Sequence, residues 1–120
     1  MKIENIKFKA KHLDGKGWAI GNLLHSYENG AIIVPIEGGG AFPVNPSTVC
    51  QFTGLEDCEG KEIWEGDIVE REIYDLFKGS AKVKAVIEYL DGAFVAITDG
   101  IPYYLYFKYI KVVGNKFDNK

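Results

Sequence analysis

Turn-forming pairs punctuate this chain from end to end: Asp14-Gly15, Asn29-Gly30, Gly38-Gly39-Gly40, Glu59-Gly60, Asp91-Gly92 and Asp99-Gly100. Glycine supplies the positive φ that tight turns demand, and a preceding Asn or Asp tolerates the same region. Between these breaks, no segment sustains a 3.6-residue apolar period for long without meeting a glycine. The expected fold class is therefore mainly β, a small single domain of short antiparallel strands with at most one or two short helices.

The clearest hairpin runs from Ala81 to Ile97. Ala81, Val83, Ala85, Ile87 and Tyr89 alternate with Lys82, Lys84 and Glu88 as far as Asp91-Gly92, and an apolar run from Ala93 to Ile97 follows. The lysines predict one wet face or an edge position for the first strand, and the apolar run predicts an interior second strand buried on both sides. Asn29-Gly30 joins Leu23–Tyr27 to a β-branched stretch, Ala31–Ile36. Pro43 and Pro46 mark an irregular crossing toward Val49. Glu70 to Lys78 fits a short helix and a long strand equally well. No repeat, low-complexity segment or linker divides the chain, so residues 1–120 read as one domain. Within it, an N-terminal β lobe covers about 1–50 and a C-terminal β lobe about 51–120. Closure removes exposed edges, so the second lobe is expected to approach a partly open SH3-like barrel.

The segment Gln51 to Val69 is the most compact collection of signals. Gly54, Gly60 and Gly66 recur at even spacing, Glu62-Ile63-Trp64 reads as a short strand, and Gly66-Asp67 reads as a turn feeding Ile68 and Val69. The wording Thr53-Gly54-Leu55 followed by Gly60-Lys61-Glu62-Ile63-Trp64-Glu65-Gly66-Asp67-Ile68-Val69 resembles the YopX-like proteins of phages and prophages. Ile6-Lys7-Phe8-Lys9-Ala10 resembles that family's opening strand, and Ile110-Lys111-Val112-Val113-Gly114-Asn115 its closing one. Lys11-His12 departs from the aromatic residue that often follows the opening strand. The resemblance implies a small mostly β fold, a phage or prophage origin and the bacterial cytoplasm. It brings no catalytic residues. Its framework residues here are Gly54, Gly60, Trp64, Gly66, Asp67, Gly114 and Asn115.

Composition bounds the partners only loosely. A formal charge of −3 provides neither a basic field for nucleic acid nor the density of an acidic mimic. No apolar run approaches the ~20 residues that span a bilayer, and the N-terminus lacks the apolar core of a signal peptide, so a cytoplasmic location is expected. Cys50 and Cys58 lack CxxC spacing, and His12 and His25 stand at no ligand offset from them. Free thiols are expected, with no metal or other cofactor.

Each chemical motif has a plainer structural reading. Glu56, Asp57, Glu59, Glu62, Glu65 and Asp67 supply hard oxygen ligands and, with Lys61, the ingredients of a metal-dependent hydrolase. Yet the block lacks EF-hand order and nuclease spacing, so a solvated face with turn-capping carboxylates is preferred. Gly38-Gly39-Gly40 lacks the Lys-Ser or Lys-Thr of a phosphate loop. Ser26, Ser47 and Ser80 sit in no nucleophile elbow. Tyr103, Tyr104, Tyr106, Phe107 and Tyr109, with Lys108 and Lys111, supply stacking faces and cations. One face of that run must be core, and the other is a protomer interface, a nucleic-acid stacking platform or a set of side chains snorkelling over the barrel end, with packing or oligomer contact preferred over nucleic acid. The sequence therefore predicts a non-enzymatic phage accessory module that binds a phage or host macromolecule or assembles with itself. Tyr104, Tyr106, Lys108, Lys111 and Trp64 are its candidate binding residues. The alternatives are a nucleic-acid-binding β module using Tyr104 to Lys111, and a metal-dependent hydrolase using Glu56 to Asp67.

Overall fold

The computed structural model describes residues 2–77, 79–103 and 109–118, with the backbone alone for 73–75. Among the described residues the strands are β1 (Phe8–Lys11), β2 (Trp18–Ser26), β3 (Gly30–Val34), β4 (Phe42–Pro43), β5 (Cys50–Glu56), β6 (Glu62–Trp64), β7 (Asp67–Asp75), β8 (Gly79–Leu90), β9 (Ala93–Thr98), β10 (Ile101–Tyr103) and β11 (Ile110–Asn115). The helical content described is two 3-10 turns, Ile3–Asn5 and Pro46–Thr48. The fold is mainly β, as the turn pattern requires. The ambiguous stretch from Glu70 extends β7, which pairs with β8 from Ile68↔Val86 to Asp75↔Gly79. The chain forms two compact units, Met1–Phe52 and Thr53–Lys120, with β5 running from one into the other.

In the first unit the antiparallel order is β4-β3-β2-β1-β5. Strand alternation puts Ala10, Ala19, Ala31, Ile33 and Val44 into one core, with Phe8, Leu23, Phe42 and Val49 packed against it. Gly21 stands opposite Phe8 in the β1–β2 ladder. A Cβ there would come within 2.7 Å of the Pro35 Cα, so the position excludes any side chain. The crossing at the prolines is stitched by side chains. Asn45 Oδ1 accepts from the Ser47 N–H at 3.0 Å, while Thr48 Oγ1 accepts from the Lys11 N–H at 2.8 Å and donates to the Asn45 carbonyl at 2.7 Å.

In the second unit the latter half of β5 pairs with β6, and a second antiparallel sheet has the order β10-β9-β8-β7-β11. Both Asp-Gly pairs make two-residue turns with positive φ at each central position, 50° and 87° at Asp91-Gly92 and 52° and 78° at Asp99-Gly100. That is the type I′ geometry matching the twist of a hairpin. Strand β8 lies in the middle of the sheet, so exposed Lys82 and Lys84 mark a wet face and not an edge. Strand β9 is interior, but only Val95 and Ala96 are buried; Ala93 is exposed, which corrects the expectation of burial on both faces along its length. The core here is Ile63, Val69, Ala85, Ile87, Ala96, Ile110 and Val112, with Leu55 and Phe94 against it.

The second sheet is strongly coiled. Arg71 on β7 pairs with Val83 of β8, whereas Tyr103 on β10 shares its row with Ala96 and Ile87. In a flat sheet these two backbone positions would stand roughly 19 Å apart, three strand spacings across and four residues along. The Arg71 guanidinium nevertheless lies 3.7 Å from the Tyr103 ring centroid. Coiling brings the corners together. Among the described residues no pairing joins β10 to β11, so the sheet is not a closed barrel.

The edges are blunted in different ways. Pro43 in β4 and Pro102 in β10 lack an N–H, and β6 is three residues long. Strand β11 is treated differently, by the turn that follows β5.

Candidate functional site

The acidic block after β5 folds back onto β11. Asp57, only 5 % exposed, begins a turn in which its own N–H donates to the Lys61 carbonyl at 2.7 Å and its carbonyl accepts from the Gly60 N–H at 3.0 Å. Its carboxylate then serves three backbone donors. Oδ1 accepts from Glu59 at 2.8 Å and Lys61 at 2.9 Å, and Oδ2 accepts from Val112 at 2.9 Å. The neighbouring Cys58 N–H donates to the Ile110 carbonyl at 3.1 Å. The turn thereby occupies groups of β11 that would otherwise form an open sheet edge. Burial pushes the Asp57 carboxyl up, but the N–H groups of Val112, Lys61 and Glu59 and the charge of Lys61 outweigh it and hold the group below its ordinary value.

A second buried carboxylate organises the β6–β7 turn. Asp67 Oδ2 accepts from the Trp64 N–H at 2.8 Å, and Oδ1 accepts from Asn115 Nδ2 at 3.0 Å. Asn115 Oδ1 in turn accepts from the Phe117 N–H at 2.9 Å. Gly66 at the turn donates to the Ile87 carbonyl at 2.7 Å, and its carbonyl accepts from the Lys116 N–H at 2.9 Å. Gly60 and Gly54 both take positive φ, and at Gly54 this interrupts regular strand geometry within β5. Thr53 Oγ1 compensates beside it, donating to the Ile63 carbonyl at 2.7 Å and accepting from the Leu55 N–H at 3.2 Å. The β7–β11 register shifts between Val112 and Gly114, which places a bulge just before Asn115.

The two best-placed carboxylates thus face backbone donors and an amide. Glu56 and Glu59 are exposed, and Glu59 pairs with Lys111 at 3.5 Å in a solvent-screened contact. Among the described residues, no three His, Cys, Asp or Glu side chains converge on a metal-sized site. Cys50 is a buried and Cys58 an exposed free thiol.

The expected binding residues separate. Tyr104, Tyr106 and Lys108 lie outside the described residues. Lys111 is exposed on β11, and Tyr109 beside the strand is 71 % exposed. Trp64 is 4 % exposed, so its ring is buried and is not a contact surface, while its backbone N–H is held by Asp67.

Other surface features escaped the sequence reading. Leu76 and Phe77, at the tip between β7 and β8, are 84 % and 97 % exposed. In the first unit, an open cleft of about 300 Å³ is lined by Leu23, Leu24, His25, Ala31, Pro46 and Val49. Arg71, the only arginine in the chain, lies on Tyr103. An adjoining apolar pair at a tip and a solitary arginine among lysines were the available signals.

The YopX protein family model matches residues 5–120. The chain belongs to the YopX family. No curated protein matches it. In this YopX-family chain, the middle and closing segments that carry the resemblance meet through side chains: Asp57 holds Val112, and Asp67 holds Asn115. Among the described residues, no helix is long and apolar enough to cross a membrane.

Proposed function

We propose that the chain is a non-catalytic phage or prophage accessory protein of the bacterial cytoplasm that works by docking on another protein or on its own copies. The observation carrying this reading is the β7–β8 tip, where two large apolar side chains stand almost wholly in solvent. Adjacent apolar side chains at a projecting tip supply the apolar centre that a docking contact needs, and here they cap the hairpin with the most extensive ladder of the second unit. Blunted edges favour this mode over strand addition, since Pro43, Pro102 and the Asp57 turn all obstruct a new backbone partner. The use of Asp57 and Asp67 in backbone bonding supports a scaffold over a hydrolase.

The test pairs light scattering with capture from host lysate, each run on the unmodified chain and on Leu76→Ser/Phe77→Ser. The expected result is a defined oligomer or a protein partner that the double variant loses while keeping its fold. A strict monomer at high concentration that retains only nucleic acid, and releases everything after nuclease treatment, would overturn the reading.

A further inference from the structure

We infer that Arg71 and Tyr103 form a receptor for an oxyanion, a phosphate or carboxylate group borne by a ligand. The inference is independent of the hairpin-tip reading. Every other basic residue among the chain's fourteen lysines and arginines is a lysine, so the one arginine stands where a planar, forked donor is distinctive. Its guanidinium Cζ lies 3.7 Å from the Tyr103 ring centroid, a cation–π contact. The Nε atom is shut off from solvent and has no hydrogen-bond partner.

Among the described residues, Arg71 makes no ion pair. Its sequence neighbours Glu70 and Glu72 point to the opposite face of β7 by strand alternation, and Glu70 is engaged there by Lys82 at 3.8 Å. On its own face Arg71 stands in the row of Val83 and Ile110, both apolar. A half-buried cation among apolar groups interacts more strongly with an anion than one in open water, because less solvent screens it. The Tyr103 contact restrains the guanidinium in advance, so that its terminal nitrogens can take two oxygens of one group side by side.

The single arginine makes the test direct. In a uniformly 15N-labelled full-length sample, one Nε–H cross-peak reports on Arg71, and its seclusion from solvent slows the exchange that would erase it. The sample is titrated with inorganic phosphate and, separately, with acetate, at ionic strength held constant by chloride. The expected result is a saturable movement of this cross-peak, accompanied by a rise in thermal midpoint that chloride does not produce and that Arg71→Lys loses. The larger response to phosphate would assign a phosphoryl-bearing ligand, and the larger response to acetate a carboxylate-bearing one. A cross-peak unmoved by both anions through the millimolar range would overturn the inference, as would equal stabilisation of Arg71→Lys. Should the lysine variant fail to fold, the cross-peak titration of the unmodified chain decides alone.

Discussion

Two turns in the second unit treat solvent in opposite ways. The turn at Asp57 is rich in charge, yet its central carboxylate is buried and used on three backbone N–H groups. The tip at Leu76–Phe77 is apolar, yet it projects into water. Composition would have assigned the reverse, placing the acidic turn outside as a surface and the apolar one inside as core. Backbone bookkeeping explains the first case. An edge strand presents donors that need acceptors, and a carboxylate satisfies several at once at a smaller cost than leaving them open. The tip keeps most of its apolar surface in water, which is why it and not the acid block carries the functional proposal.

The comparison is tested most severely at Trp64. If the polar turns rest on a packed framework, Trp64→Ala should destabilise the chain by about 3 to 5 kcal/mol in urea unfolding, because a buried indole leaves a large void. A loss below about 1 kcal/mol would show that the ring contributes little packing and would return it to the surface.

Next comes the carboxylate itself. Asp57→Ala deprives three N–H groups of their acceptor and uncovers the edge of β11, for an expected loss of about 2 to 4 kcal/mol. Asp57→Asn retains the shape but replaces an acceptor oxygen with a donor, so it should fall between the alanine variant and the unmodified chain. If both variants unfold at the same urea concentration as the unmodified chain, the buried turn is not holding β11.

The same group sets an acid dependence whose sign is fixed. The folded chain holds the Asp57 carboxyl below its ordinary value, so the unfolded chain takes up its proton first as pH falls. Its contribution is present above the unfolded value of about 4 and is lost as pH drops through the lower folded value. The urea midpoint of the unmodified chain should therefore fall more steeply below about pH 4 than that of Asp57→Asn. Parallel curves would assign the acid sensitivity to other carboxylates.

Legibility followed the range of the interaction. Asp91-Gly92 and Asp99-Gly100 were readable because a type I′ turn makes its demand on adjacent residues, and both took the required backbone angles. The stretch from Glu70 was not, since its pattern fits two periods and only the ladder with Ala81–Lys84 selects the strand. Gly21 passed unnoticed among the turn glycines because its constraint comes from the backbone at Val34 and Pro35, across the β2–β3 pair. Asp57 could be read as a turn-capping acid, but its bond to Val112 joins residues 55 positions apart. Arg71 was equally silent, because its partner Tyr103 meets it only once the sheet has coiled.

The smallest expected change in stability belongs to the tip, and it is also the sharpest test of the contrast. Leu76→Ser/Phe77→Ser removes two apolar side chains that are already in solvent, so the unfolding free energy should move by no more than about 0.5 kcal/mol. Association should fall at the same time, because docking would have supplied the burial that the isolated unit does not. A large loss of stability without any change in association would mean that the tip folds against its own unit. The two turns would then differ only in polarity, and the docking proposal would have to move to another surface.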